Sequence, residues 1–330
     1  MRKNGLIEGY RFIIAITIAL FHFFKIWSNN NNWRLGVEFF FVLSGFLLMQ
    51  NCSNRKHETV WELTWRKIKS FYPYYLIMFV FGIIVEVIVK ECNILISGYQ
   101  HLHQLLFLTD WFKGKVDYLA GCGQLWFITT QVWAIPMIGY LVKKHEELYK
   151  VVMAPAFVII GYTLIIRCSG NLNANMYITV LKEVWFPFLF IRALAGMACG
   201  TLVWMIYDRL KSYRYTPKGE QVGRVLSVII LVFAIWLSYR PKNVRVNSYG
   251  WRGLIVVSLY AVSILLAFLF GDVNKSLYNR GSCCNKIFAL VGRMSLSIYM
   301  VHTLVIYIMK NFLDVTCYNR QLLIVFGGKH

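Results

Sequence analysis

The sequence predicts an all-α polytopic membrane protein, a bundle of about ten transmembrane helices. Three observations carry that expectation. The chain of 330 residues is 58% hydrophobic and only 15% charged, outside the balance of a soluble domain. Its apolar residues gather into nine runs, most near the ~20 residues a bilayer core requires and some shorter. Its 35 basic residues, against 15 acidic ones, lie mainly in short loops between those runs, where the positive-inside rule puts them. That placement excludes nucleic acid as the partner of a chain with net charge +20, and makes the lipid bilayer the partner instead. The chain reads as a single membrane domain over 1–330, with no appended soluble domain.

In order, the apolar runs are 8–27, 35–50, 72–90, 124–142, 151–167, 184–207, 225–239, 252–271 and 288–310. The first is too long for a cleavable signal and lacks a small-residue cleavage site. The stretch 101–112, HLHQLLFLTDWF, is too short to span and reads as interfacial or re-entrant. Near the end, LLIVFGG resembles the start of a tenth span cut short. More of the lysines and arginines fall on one side if the N-terminus is cytoplasmic, although the loop 240–252 runs against that trend. The eight cysteines show no metal-ligand spacing, so no metal is expected.

Chemistry concentrates in the first two runs. Arg11 and His22 are eleven residues apart, close to three helical turns, and so share one face about 16 Å apart along the axis. Ionisable residues inside a span are costly and point to function. A neutral histidine can take a proton from a hydroxyl, and an arginine can bind phosphate with two parallel hydrogen bonds. Glu38, in GVEFFFVLSGF, is a candidate to hold His22 in one tautomer or to pair with Arg34. Ser44 and Gly45 allow close helix approach, with Ser44 as a secondary ligand contact. Arg66, Lys67 and Lys69 sit before the third span, either as an anionic-lipid anchor or as a phosphate patch beside Arg11. Pro73 is expected to open that span.

Further along, Trp126 and Gln131 lie on an otherwise apolar run. Arg192 is the most deeply placed basic residue, beside the small-residue pair Gly196 and Gly200. Ser295, Tyr299 and His302 fall on one helix face at spacings of four and three. His302 is then a second polar group for the same cavity or a packing histidine.

Taken together, Arg11 and His22 with ten residues between them in the first span, GVEFFFVLSGFL, the basic run before FYPYY, LW near the start of the fourth span, RALAGMACG and SLSIYMVH resemble, in this order, the acyltransferase family 3 of integral membrane acyltransferases. The resemblance runs from about Gly5 to His302. It implies about ten membrane helices in a bacterial-type plasma (inner) membrane with a cytoplasmic N-terminus. It implies transfer of an acyl group, usually acetyl, from acetyl-CoA or another acyl-CoA as co-substrate to a carbohydrate hydroxyl. On this resemblance His22 and Glu38 are catalytic, and Arg11, Arg66 and Lys69 bind acyl-CoA. Ser44, Tyr75, Trp126, Gln131, Arg192, Tyr299 and His302 are left to line the cavity or meet the acceptor. Gln131 stands where many members carry a glutamate. Either a general-base role or an acyl-histidine suits His22. A transporter or flippase of a glycan or other solute is the alternative in which Arg11, His22 and Arg192 line a pathway.

Overall fold

The computed structural model describes residues 4–24, 35–108, 119–169, 172, 178–181, 184–186, 188–239, 249–271 and 283–312. Among these residues the architecture is helical apart from one short hairpin. The helices are α1 (Gly5–Phe24), α2 (Gly36–Asn54), α3 (Val60–Lys90), α4 (Ile94–Leu105) and α5 (Trp126–Lys144). Then α6 (Glu146–Leu148) runs through a π-helical turn into α7 (Ala154–Ser169). After the hairpin come α8 (Phe188–Leu210), α9 (Pro217–Tyr239), α10 (Tyr249–Phe270) and α11 (Cys283–Phe312). Among the described residues eight helices are long and apolar enough to cross a membrane. With its 20 residues, α1 is about 30 Å long, which matches the hydrocarbon thickness. The expected tenth span near the C-terminus lies outside the described residues, as does the end of the 101–112 stretch.

Helix boundaries depart from the apolar runs at several places: α9 opens at Pro217 rather than 225 and α11 at Cys283 rather than 288, and two further departures have a local cause. The third run was expected to open at Pro73. Instead α3 begins at Val60, and Pro73 lies inside a helix of 31 residues. The cause is local: the Thr59 hydroxyl accepts from the Glu62 backbone N–H at 3.2 Å, and the Glu62 carboxylate accepts from the Thr59 N–H at 2.7 Å. This capping box starts the helix ahead of the basic residues. The sixth run was expected from Val184. Val184–Phe186 is instead strand β2, antiparallel to β1 (Ile178–Leu181) with Ile178 opposite Phe186. Val, Trp and Phe favour a pleated strand, and α8 starts only at Phe188.

The centre of the bundle is α8, on which α2, α5, α7 and α10 pack. Lipid tails are as apolar as leucine, so helices associate in a membrane through close packing rather than the hydrophobic effect. Small residues supply that closeness. A Cβ on Gly45 would lie 1.9 Å from the Met197 carbonyl oxygen, and one on Gly200 would lie 2.0 Å from the Val42 carbonyl oxygen. Only glycine fits where these two backbones touch. To one side, α1 lies along α11, α9 pairs with α10, and α3 carries α4.

Candidate active site

Among the described residues, one cavity lies between α1, α2, α3, α5 and α11, and another between α1, α11, the segment leading into α5 and the start of α8. The first, of about 180 Å³, is bordered by Arg11, Ser44, Lys67, Gln131, Ser295 and Tyr299. The second, of about 480 Å³, is bordered by His22, Gln124, Trp126, Tyr299, Thr303 and Lys310. The face that Arg11 and His22 share on α1 is therefore divided, one residue for each cavity.

At the first cavity Arg11 is paired with Glu8, one turn earlier on α1, at 2.9 and 3.2 Å. Glu8 is nearly buried because Gly292 of α11 leaves it space: a Cβ on that glycine would fall 1.5 Å from the Glu8 carboxylate. The sequence reading had not singled out Glu8. The guanidinium keeps part of its surface in the cavity, and the Lys67 ammonium borders the same space. Gln131 donates to the Ser44 hydroxyl at 2.8 Å, which ties α5 to α2 at the cavity wall.

The basic run contributes a different residue from those expected. On α3 Lys67, Ser70 and Phe71 line the cavity, a spacing of three and four that defines one helix face. Arg66 and Lys69 are about 100° and 200° away from Lys67. Arg66 accordingly pairs with Glu58, and the Lys69 ammonium lies 5.5 Å from the centre of the Trp65 ring. Tyr75 is also redirected. It lies about 12 Å further along α3 than Lys67, where α4 crosses, and its hydroxyl donates to the Gln104 carbonyl at 2.6 Å. There Glu86 and His101, both buried, meet at 3.0 Å, and Gln104 holds the other His101 nitrogen at 2.9 Å. Neither Glu86 nor His101 was a candidate from sequence, since their pairing depends on α4 folding back on α3.

At the second cavity the His22 and His302 rings lie 5.0 Å apart, tilted by 45°. His302 Nδ1 is 2.7 Å from the Tyr299 carbonyl and 3.2 Å from the Ile298 carbonyl. Carbonyls only accept, so Nδ1 carries the hydrogen. In the neutral ring Nε2 is then an acceptor, and it has no hydrogen-bond partner among the described residues.

Glu38 has partners other than the expected His22. It is fully buried, with Arg192 Nε–H donating to Oε1 and the Tyr162 hydroxyl donating to Oε2 at 2.8 Å. Both carboxylate oxygens are thereby engaged across α2, α7 and α8. Gly196 makes this contact geometrically accessible, because a Cβ there would lie 2.6 Å from Phe41 and 3.3 Å from Glu38. Arg192 in turn lies 5.6 Å from the centre of the Trp126 ring, which borders the His22 cavity. Glu38 and Arg192 thus stand behind the cavity wall rather than in it.

The described residues thus form a membrane-type helical bundle in which a cavity bordered by Arg11 and Lys67 adjoins one bordered by His22. The family model described as an acyltransferase domain matches residues 4–328, and the chain belongs to acyltransferase family 3. It is similar to proteins of Staphylococcus aureus strains MSSA476, MRSA252 and COL, each named "Putative O-acetyltransferase". Each is 22% identical over 339 residues, covering 93% of this chain and 51% of the relative. The chain therefore spans about half the length of these curated relatives. No solved structure matches it.

Proposed function

We propose that the chain is a membrane O-acyltransferase that moves an acyl group, acetyl by preference, from cytoplasmic acyl-CoA to a hydroxyl of a lipid-linked or cell-surface carbohydrate. The observation that carries this reading is the division of one helix face between two adjoining cavities. The Arg11 side has the chemistry of a donor site: a planar guanidinium and an ammonium are suited to the phosphates of CoA. A cavity of about 180 Å³ is below the usual size of a small-molecule pocket, so it takes the thioester end of the pantetheine arm while the nucleotide stays at the mouth. The His22 side has the chemistry of an acceptor site. With a cytoplasmic N-terminus in a bacterial-type inner membrane, Arg11 faces the CoA pool and His22 lies toward the outer half.

In the reaction His22 takes the proton of the acceptor hydroxyl. The hydroxyl oxygen attacks the thioester carbonyl, the C–S bond breaks, and the CoA thiolate leaves and is protonated. His302, with its Nδ1 hydrogen committed to backbone carbonyls and its Nε2 buried, packs against the His22 ring from behind the cavity lining. An acyl-histidine route gives the same products, the acyl group passing first to the imidazole nitrogen.

Membranes containing the protein, incubated with acetyl-labelled acetyl-CoA, are expected to place label on glycan, and His22→Ala is expected to abolish this while the protein remains inserted. Full labelling by His22→Ala refutes the reading. Movement of a glycan without any acyl transfer supports a transporter or flippase instead.

A further inference from the structure

Among the described residues, Tyr299 alone borders both cavities. It is 4% exposed and fixed from several sides. The Phe127 ring meets it nearly edge-on at 5.4 Å, and the Phe40 ring lies at 6.1 Å. Its hydroxyl donates to the Gln124 carbonyl at 3.1 Å. Gln124 is itself anchored to α11, with its amide donating to the Met300 carbonyl and its side-chain oxygen accepting from the Thr303 hydroxyl. Swinging the phenol aside breaks a buried hydrogen bond and disturbs two packed rings. The partition is therefore stiff, and what it admits is decided by size.

We infer that Tyr299 sets the acyl-chain length of the donor: the phenol ring walls off the donor cavity from the His22 cavity, so that a short acyl group fits against it and a longer one does not. The inference rests on the acyl-transfer reading above. The thioester carbonyl must come within reach of the group activated by His22, and the acyl carbons beyond it then lie against the Tyr299 ring. Each methylene that lacks room is rejected, and a hydrophobic wall discriminates roughly 10- to 200-fold per methylene. Removing the ring joins a cavity of about 180 Å³ to one of about 480 Å³ and opens space for the chain.

The test compares transfer from acetyl-, butyryl- and hexanoyl-CoA by the full-length protein in membranes. The wild-type protein is expected to favour acetyl over butyryl by at least about tenfold. In Tyr299→Ala that ratio is expected to fall to about one or below, since the steric term that sets it is gone. Tyr299→Phe keeps the ring and is expected to keep the preference, which separates the steric role from the hydroxyl. If Tyr299→Ala does not insert, Tyr299→Leu carries the same expectation with an apolar side chain retained. Equal use of all three donors by the wild-type protein overturns the inference without any variant. An unchanged ratio in Tyr299→Ala or Tyr299→Leu overturns it while leaving acyl transfer intact. No transfer from any donor by the wild-type protein overturns the acyl-transfer reading itself, and the role of Tyr299 with it.

Discussion

Two of the glutamate–arginine pairs in the protein have surroundings that differ sharply. Glu38 and Arg192 are sealed between α2 and α8, each fully buried. Glu8 and Arg11 are one helical turn apart on α1, with Arg11 30% exposed and facing a cavity. The same two side-chain types therefore do different work. The sealed pair joins α2 to α7 and α8 through both carboxylate oxygens and borders neither cavity, so it links helices rather than facing a ligand. The open pair keeps a cation at the edge of a cavity, where a ligand can reach it.

The contrast is broken most directly by removing one partner of the sealed pair. Arg192→Ala leaves Glu38 as a buried charge with only Tyr162, and is expected to destabilise the protein by roughly 3–5 kcal/mol. The thermal midpoint in detergent micelles checks this; an unchanged midpoint would show that Glu38 is not committed to Arg192. Next in size is the packing that encloses the pair. Gly200→Val pushes a side chain into the Val42 backbone and is expected to cost about 1–3 kcal/mol. Gly139→Ala, whose nearest neighbour is the Val60 side chain at 3.3 Å rather than a backbone atom, is the milder control in the same unfolding assay.

At the open pair the balance shifts, smaller on stability and larger on ligand. Arg11→Ala leaves the nearly buried Glu8 carboxylate without this partner and is expected to cost about 1–3 kcal/mol, less than the loss of Arg192 from the sealed pair. The lost charge-assisted hydrogen bonds, about 1.5–3 kcal/mol, correspond to a roughly 10- to 150-fold weaker hold on acetyl-CoA. The smallest effect sharpens the assignment on α3. Lys67→Ala is expected to raise KM for acetyl-CoA about fivefold or more, a cost of about 1 kcal/mol. Arg66→Ala is expected to stay within about twofold, because its partner Glu58 lies outside the cavity and exposed pairs contribute little. Steady-state kinetics with both variants decide between them, and equal effects would return the phosphate site to the broader basic run.

How much of this was legible in the sequence follows the range of each interaction. The helices were, because a run of about 20 apolar residues has few options in a bilayer. The shared face of Arg11 and His22 was also legible, since register along one helix is fixed by 3.6 residues per turn. The partner of Glu38 was not. Arg192 lies 154 residues away, and Gly196 and Gly200 signalled close approach without saying to which helix. Choosing Lys67 over Arg66 and Lys69 required knowing which face of α3 turns inward. The capping box that starts α3 was present in the sequence as Thr59 and Glu62, a signal overlooked because charged residues follow it. The Glu86–His101 pair depends on the docking of α4, which no local pattern specifies.

Equilibrium binding of labelled acetyl-CoA to Arg11→Ala and His22→Ala, side by side with the wild-type protein, tests the division between the two cavities most directly. Arg11→Ala is predicted to bind at least about tenfold more weakly, the loss of one charge-assisted hydrogen bond. His22→Ala is predicted to bind as tightly as the wild type. Undiminished binding by Arg11→Ala, or binding lost in His22→Ala while the protein remains folded, would contradict the assignment of donor and acceptor to the two ends of α1.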